Sequence, residues 1–232
     1  MCPTYTLVIQ KRYTLCIANY ITRIMKRIQS PYTAAITGGG FLFEETNLLL
    51  PLLQSEDRVS LLKDEILNNR ILHINAEKSR KRNTAEIVRR YDTMPVSFWE
   101  DYMQMEENDQ KIALFFVILK TYKVCFDFQI RVTMRKWNGI AKSLTHEDLM
   151  MEFSEIASKD EFVNSWSETT MRKVASAYLS ILRKVGMLDN NSGLHSVEAN
   201  NMDYYIKIGE PWFLEACLLQ PYQIDHIKQM MI

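Results

Sequence analysis

Apolar residues return every three or four positions along most of this 232-residue chain, the spacing that lines one face of a helix. After TAAITGGG at 33–40, the run FLFEETNLLLPLLQ predicts one helix and SEDRVSLLKDEILNNRILHI a second. Ser55 is placed to cap the second, with Leu61, Leu62, Ile66 and Leu67 on one face. The polar, basic residues 75–82 then break the pattern and predict a turn. Asn83 opens NTAEIVRRYDTM, where Asn83 and Glu86 stand at capping-box spacing and Ile87, Val88, Tyr91 and Met94 form a buried stripe. FWEDYMQM is amphipathic. QKIALFFVILKTYKVCFDFQIRVTMRKW is apolar nearly all round, as in helices at the centre of a bundle.

Thr145 and Asp148 cap another helix carrying Leu149, Met150, Phe153 and Ile156. SWSETTMRKVASAYLSILRKVGMLD shows the cleanest helical period in the chain, with Met171, Val174, Ala175, Tyr178, Ile181, Leu182 and Val185 on one face. Ser167 caps its start and Gly186 supplies the left-handed residue that ends it. Its other face carries Thr169, Arg172, Lys173, Ser176, Ser180, Arg183 and Lys184. Next, LHSVEA and DYYIKI flank Asn200 and Asn201 and predict a short β-hairpin, and Pro211 opens a last helix. The fold expected is mainly α: a helical bundle with helix-turn-helix elements and a small C-terminal β-hairpin, winged-helix-like. Three regions follow: a basic N-terminal extension at 1–30, a helical domain with a basic helix-turn-helix at 31–138, and a winged-helix-like domain at 139–232. Residues 1–24 are expected to be an adventitious upstream start, because the chain reads as self-sufficient from Met25 onward.

Composition changes this picture little. Seven Gly and six Pro leave few long loops. The 28 basic and 28 acidic residues cancel, so only their distribution is informative. Between Arg70 and Arg90 seven basic residues face two acidic ones, a local excess of five, which polarises the surface of a neutral chain. Four scattered cysteines and four scattered histidines show no metal-ligand spacing, so neither a metal nor any other cofactor is expected. The uncharged run from Tyr13 to Thr22 falls far short of the roughly 20 apolar residues that span a bilayer. No membrane span is expected, and the location expected is cytoplasmic.

The glycine run invites a phosphate-binding reading and fails it. A Walker loop needs Lys and Ser or Thr after the last glycine; here Gly40 is followed by Phe41 and Leu42. The dinucleotide fingerprint lacks its third glycine position. Glu44 and Glu45 would repel an anion from the helix N-terminus, so the glycines are read as a tight, open turn into a helix. Ser60 and Lys63 fit S-x-x-K without its partner motifs, and no G-x-S-x-G elbow occurs. No catalytic residue is assigned, and the chain is expected not to be an enzyme.

The basic block is the more specific signal. Lys78, Arg80, Lys81 and Arg82 precede a predicted helix that carries Thr84, Arg89 and Arg90, so cationic groups can converge on one phosphate-sized strip. The polar face starting at Ser167, with Thr169, Thr170, Arg172 and Lys173, is a second candidate contact.

YTAAITGGGFLFEET, NRILHINAEKSRKRNTAEIVRRYDTM, ALFFVILKTYKVCFDF and WSETTMRKVASAYLSILRKVGMLD, in this order and spacing, resemble the BrxA family, the small helical component of BREX phage-defence systems. The resemblance runs from about Pro31 to Pro221 and leaves residues 1–30 outside. It implies a non-enzymatic, all-helical protein with some likeness to the NusB antitermination fold that binds double-stranded DNA. The family's basic segment matches Ser79, Arg80, Arg82, Thr84, Arg89 and Arg90, and its second helix matches Ser167, Thr169, Thr170, Arg172 and Lys173. Tyr91 and Asp92 depart from the Arg-Leu pair usual there. The leading expectation is a sequence-tolerant duplex-DNA-binding subunit. The alternatives are an adaptor for the methyltransferase or ATPase of such a system, and a NusB-like RNA-binding protein.

Overall fold

The structure is a computed structural model that describes residue 27 and residues 29–231. The upstream-start reading of residues 1–24 lies outside the described residues. Element order is a 3-10 turn (Ala35–Gly38), α1 (Phe43–Leu53), α2 (Arg58–Asn68), α3 (Glu77–Tyr91), α4 (Val96–Gln104) and α5 (Glu107–Thr121). There follow α6 (Lys123–Asp127), a π-helical segment (Phe128–Thr133), α7 (Met134–Trp137), α8 (His146–Lys159), α9 (Glu161–Asn164) and α10 (Glu168–Lys184). The last elements are α11 (Asp203–Lys207), α12 (Trp212–Ala216) and α13 (Pro221–Gln229).

The all-round apolar run forms the centre, as its pattern predicts. Ala113, Leu114, Phe115, Phe116, Val117 and Ile118 of α5 are fully buried. Buried residues from both predicted domains join in one core. Tyr178 of α10 ties the π-segment down: its hydroxyl donates to Gln129 and lies 2.7 Å from the Thr133 hydroxyl, while Gln129 donates to the Ala216 carbonyl at 2.5 Å. A satisfied polar network of this kind fixes one arrangement of a core.

Both caps read from the sequence for α8 and α10 form. Thr145 and Asp148 make a reciprocal capping box, and Ser167 accepts from the Thr170 N–H at 3.2 Å. Gly186 has φ +77°.

Several expectations are corrected. The turn predicted over 75–82 is instead the start of α3, which runs unbroken through Asn83. Glu77 to Arg82 contains no glycine or proline, Glu77 and Lys81 form an i,i+4 pair at 2.6 Å, and the true connection is residues 69–76. On α2, Asp57 rather than Ser55 takes the N-cap position. Leu62 is buried while Leu61 and Leu67 are exposed. The buried Glu65 replaces them, accepting the N–H groups of Arg70, Ile71 and Leu72 at 3.1, 3.0 and 2.9 Å.

The C-terminal β-hairpin does not form, and no strand occurs among the described residues. Asn200 and Asn201, expected at its turn, are tied to Asp109 at the start of α5. DYYIKI becomes α11 because Tyr205 packs against Phe116 and Phe213 and Tyr204 donates to Asp101 at 3.0 Å. Among the described residues the nearest approach to a sheet comes earlier: isolated antiparallel bridges join Leu188 to Leu194 in the segment after α10, and Gly193 of that segment to Ser143 ahead of α8. Pro211 caps α12 rather than opening the last helix, which is α13.

Candidate nucleic-acid interface

Because α3 begins at Glu77, positions 80, 84, 87 and 91 share its inner face. Arg80, Thr84, Ile87 and Tyr91 are accordingly buried. This corrects three assigned contact residues. Arg80 donates to the carbonyls of Ile66, Ile74 and Asn75 at 2.8, 2.6 and 3.0 Å, closing the end of α2 and the connection after it. Thr84 is 3% exposed. Arg90 is fully buried.

Arg90 holds the glycine turn. Its guanidinium donates to the carbonyls of Gly40 and Phe41 at 2.5 and 2.6 Å and to the Tyr122 hydroxyl at 3.1 Å. Tyr122 donates onward to Glu86 at 2.7 Å. Burial pushes the Tyr122 hydroxyl well above its ordinary range, with Arg90 working against it, so Tyr122 stays a donor between a buried cation and a carboxylate. A buried charge persists only with such partners. Gly40 at φ +65° supplies the left-handed residue the turn needs.

What remains outside on α3 is a stripe of Lys78, Arg82 and Arg89, spaced i, i+4 and i+11, all exposed. Among the described residues Lys78 and Arg82 make no ion pair, whereas Lys81 pairs with Glu77 at 2.6 Å and Arg89 with Glu86 at 3.5 Å. The Lys81 pair is exposed on both sides and contributes little, whereas Arg89 pairs with a buried carboxylate.

The second basic helix reaches the same turn. Gly38 lies against α3: an added Cβ would stand 3.2 Å from Arg82 Cγ and 3.4 Å from Glu86 Cγ. Its neighbour Thr37 lines a hollow of about 350 Å³ with Thr169, Arg172, Lys173 and Ser176 of α10. The 3-10 turn therefore lies between the outer stripe of α3 and the polar face of α10. Sequence reasoning treated the glycines as a helix start and missed this bridging position, which depends on contacts distant in the chain.

On α10, Thr169, Lys173, Ser176, Ser180 and Arg183 are exposed along one face. Arg172 is held by Glu168 at 2.7 Å. Ser167 and Thr170 use their hydroxyls on each other and on the cap, so their first role is to start the helix. Among the described residues no group of His, Cys, Asp and Glu could hold a metal ion, and no helix is long and apolar enough to cross a membrane.

Comparison with known proteins places this arrangement in a family. A BREX protein BrxA from Bacillus cereus is 23% identical over 167 residues, 72% of this chain and 84% of that protein. The crystal structure of an uncharacterized protein from Magnetospirillum magneticum has the same fold, with a TM-score of 0.67 at 22% identity, covering 81% of this chain and 98% of the other. The BrxA family model matches residues 30–198, from the glycine turn through both basic helices. This chain belongs to the BrxA family.

Proposed function

We propose that this chain is a double-stranded-DNA-binding component of a BREX-type phage-defence system, with no reaction of its own. The system is suggested by family membership and by the name of the Bacillus cereus relative. The observation that carries the DNA reading is the meeting of two cationic helix faces at the 3-10 turn. Lys78, Arg82 and Lys173 are exposed and unpaired among the described residues, with the ion-paired Lys81, Arg89 and Arg172 beside them. Such groups displace counterions from a polyanion. The hydroxyls of Thr169 and Ser176 add donors that fix register on a phosphate backbone without reading sequence. With Arg80 and Arg90 internal, the contact is smaller than the sequence alone implies.

Neutralising four phosphates gives a slope of log affinity against log salt of about −3.6. An anisotropy titration of a labelled duplex across salt concentrations tests this, and a slope near zero rejects it. Competition between duplex DNA and structured RNA separates this reading from an RNA-binding one, and pull-down after nuclease treatment separates it from an adaptor reading.

A further inference from the structure

A groove of about 1340 Å³ opens between residues 196–203 and α13. It is larger than the roughly 300–1,000 Å³ usual for small-molecule sites. One wall carries Tyr222, Met230 and Met231, exposed by 72, 67 and 38%. Its charged lining is acidic, from Glu198, Asp203 and Asp225, with His226 the one basic side chain. Lys207 pairs with Asp203, whereas Glu198 and Asp225 have no ion-pair partner among the described residues. The family match ends at residue 198, so α13 lies outside the matched residues.

We propose that this groove docks a lysine- and arginine-rich amphipathic helix of a protein partner. The charge argument selects the occupant: a nucleic acid would be repelled by the unpaired carboxylates, whereas a cationic helix places its basic edge against them. Methionine and tyrosine supply an adaptable apolar floor for the other face of such a helix. The groove uses none of the residues assigned to DNA, so either proposal can fail without the other.

The test uses the full chain freed of nucleic acid and fluorescein-labelled helical peptides of about five turns, one of leucine and lysine, one of leucine and glutamate. Anisotropy is expected to show at least about tenfold tighter binding of the lysine peptide. Glu198→Lys with Asp225→Lys should invert that preference, and Tyr222→Ser with Met230→Ser should weaken both peptides. All four positions are exposed, and circular dichroism checks that helicity is retained. Equal affinity for the two peptides, or unchanged binding by both variants, overturns the proposal. So does a dimer, seen by sedimentation equilibrium without peptide, that the Tyr222 and Met230 changes dissociate, because the occupant is then a second copy.

Discussion

Arg90 donates to the carbonyl oxygen of Gly40 at 2.5 Å across fifty residues of sequence. That bond joins the inner face of one basic helix to the turn on which the second basic helix also rests. One of the residues assigned to phosphate from the sequence is thus a structural one that holds the turn between the exposed cations.

Removing this guanidinium strands the buried carbonyls of Gly40 and Phe41 and takes the nearby cation from the Tyr122–Glu86 hydrogen bond. Arg90→Ala is expected to destabilise the protein by about 3–5 kcal/mol, read as a lower urea midpoint at unchanged m-value. A loss below about 0.5 kcal/mol, the usual range of a surface change, would mean that Arg90 does not hold the turn.

Gly40 meets no steric obstacle, since nothing lies within 4 Å of an added Cβ, but its φ is +65°. Gly40→Ala should therefore cost about 1–2 kcal/mol through backbone strain alone. Thermal unfolding measures it, and an unchanged Tm would contradict the left-handed assignment.

Asp148 links the α8 cap to α7. Burial would raise its carboxyl, but the Lys136 ammonium at 2.5 Å and the Thr145 N–H and hydroxyl, both at 2.9 Å, overcome that and hold it below the usual aspartate range. A depressed folded pKa contributes stability that is complete above the unfolded value of about 3.9 and is lost as pH falls through the folded one. Asp148→Asn should flatten the acid limb of a stability–pH curve below about pH 4 and leave the neutral-to-alkaline side parallel to wild type. An unaltered acid limb would refute the assignment.

Cys125 and Cys217 are fully buried, and burial pushes the Cys125 thiol up to about 12 and the Cys217 thiol up as well. In a Cys2→Ser, Cys16→Ser background, a disulfide reagent at pH 8 should label no thiol in native buffer and two after denaturation. Fast native labelling would contradict the packing around α6 and α12.

The legibility of this chain follows the range of the forces. The apolar run of α5 and the caps Thr145, Asp148 and Ser167 depend on neighbours within one or two turns, and they stand where the pattern puts them. Elements set by distant partners were not legible. Asn200 and Asn201 look like turn residues until Asp109 takes them, and DYYIKI alternates like a strand until Phe116 and Phe213 bury Tyr205. The candidate site divides the same way. Lys78, Arg82 and Lys173 were visible as exposed charge. The inward turn of Arg80 and Arg90 depends on α3 starting at Glu77 and on carbonyls contributed by other parts of the chain. The inward period of positions 80, 84, 87 and 91 is the signal that points Arg80 inward; Arg90 lies off that period, and its burial follows from the Gly40 and Phe41 carbonyls.

The most direct measurement is the salt dependence of duplex binding in wild type beside a triple variant, Lys78→Ala, Arg82→Ala and Lys173→Ala. With four phosphates engaged, wild type should give a slope of about −3.6, and the variant about −1, each lost contact removing about 0.9, with helicity unchanged. A wild-type slope near zero, or a variant slope equal to the wild-type one, would contradict the assignment of these exposed cations to DNA.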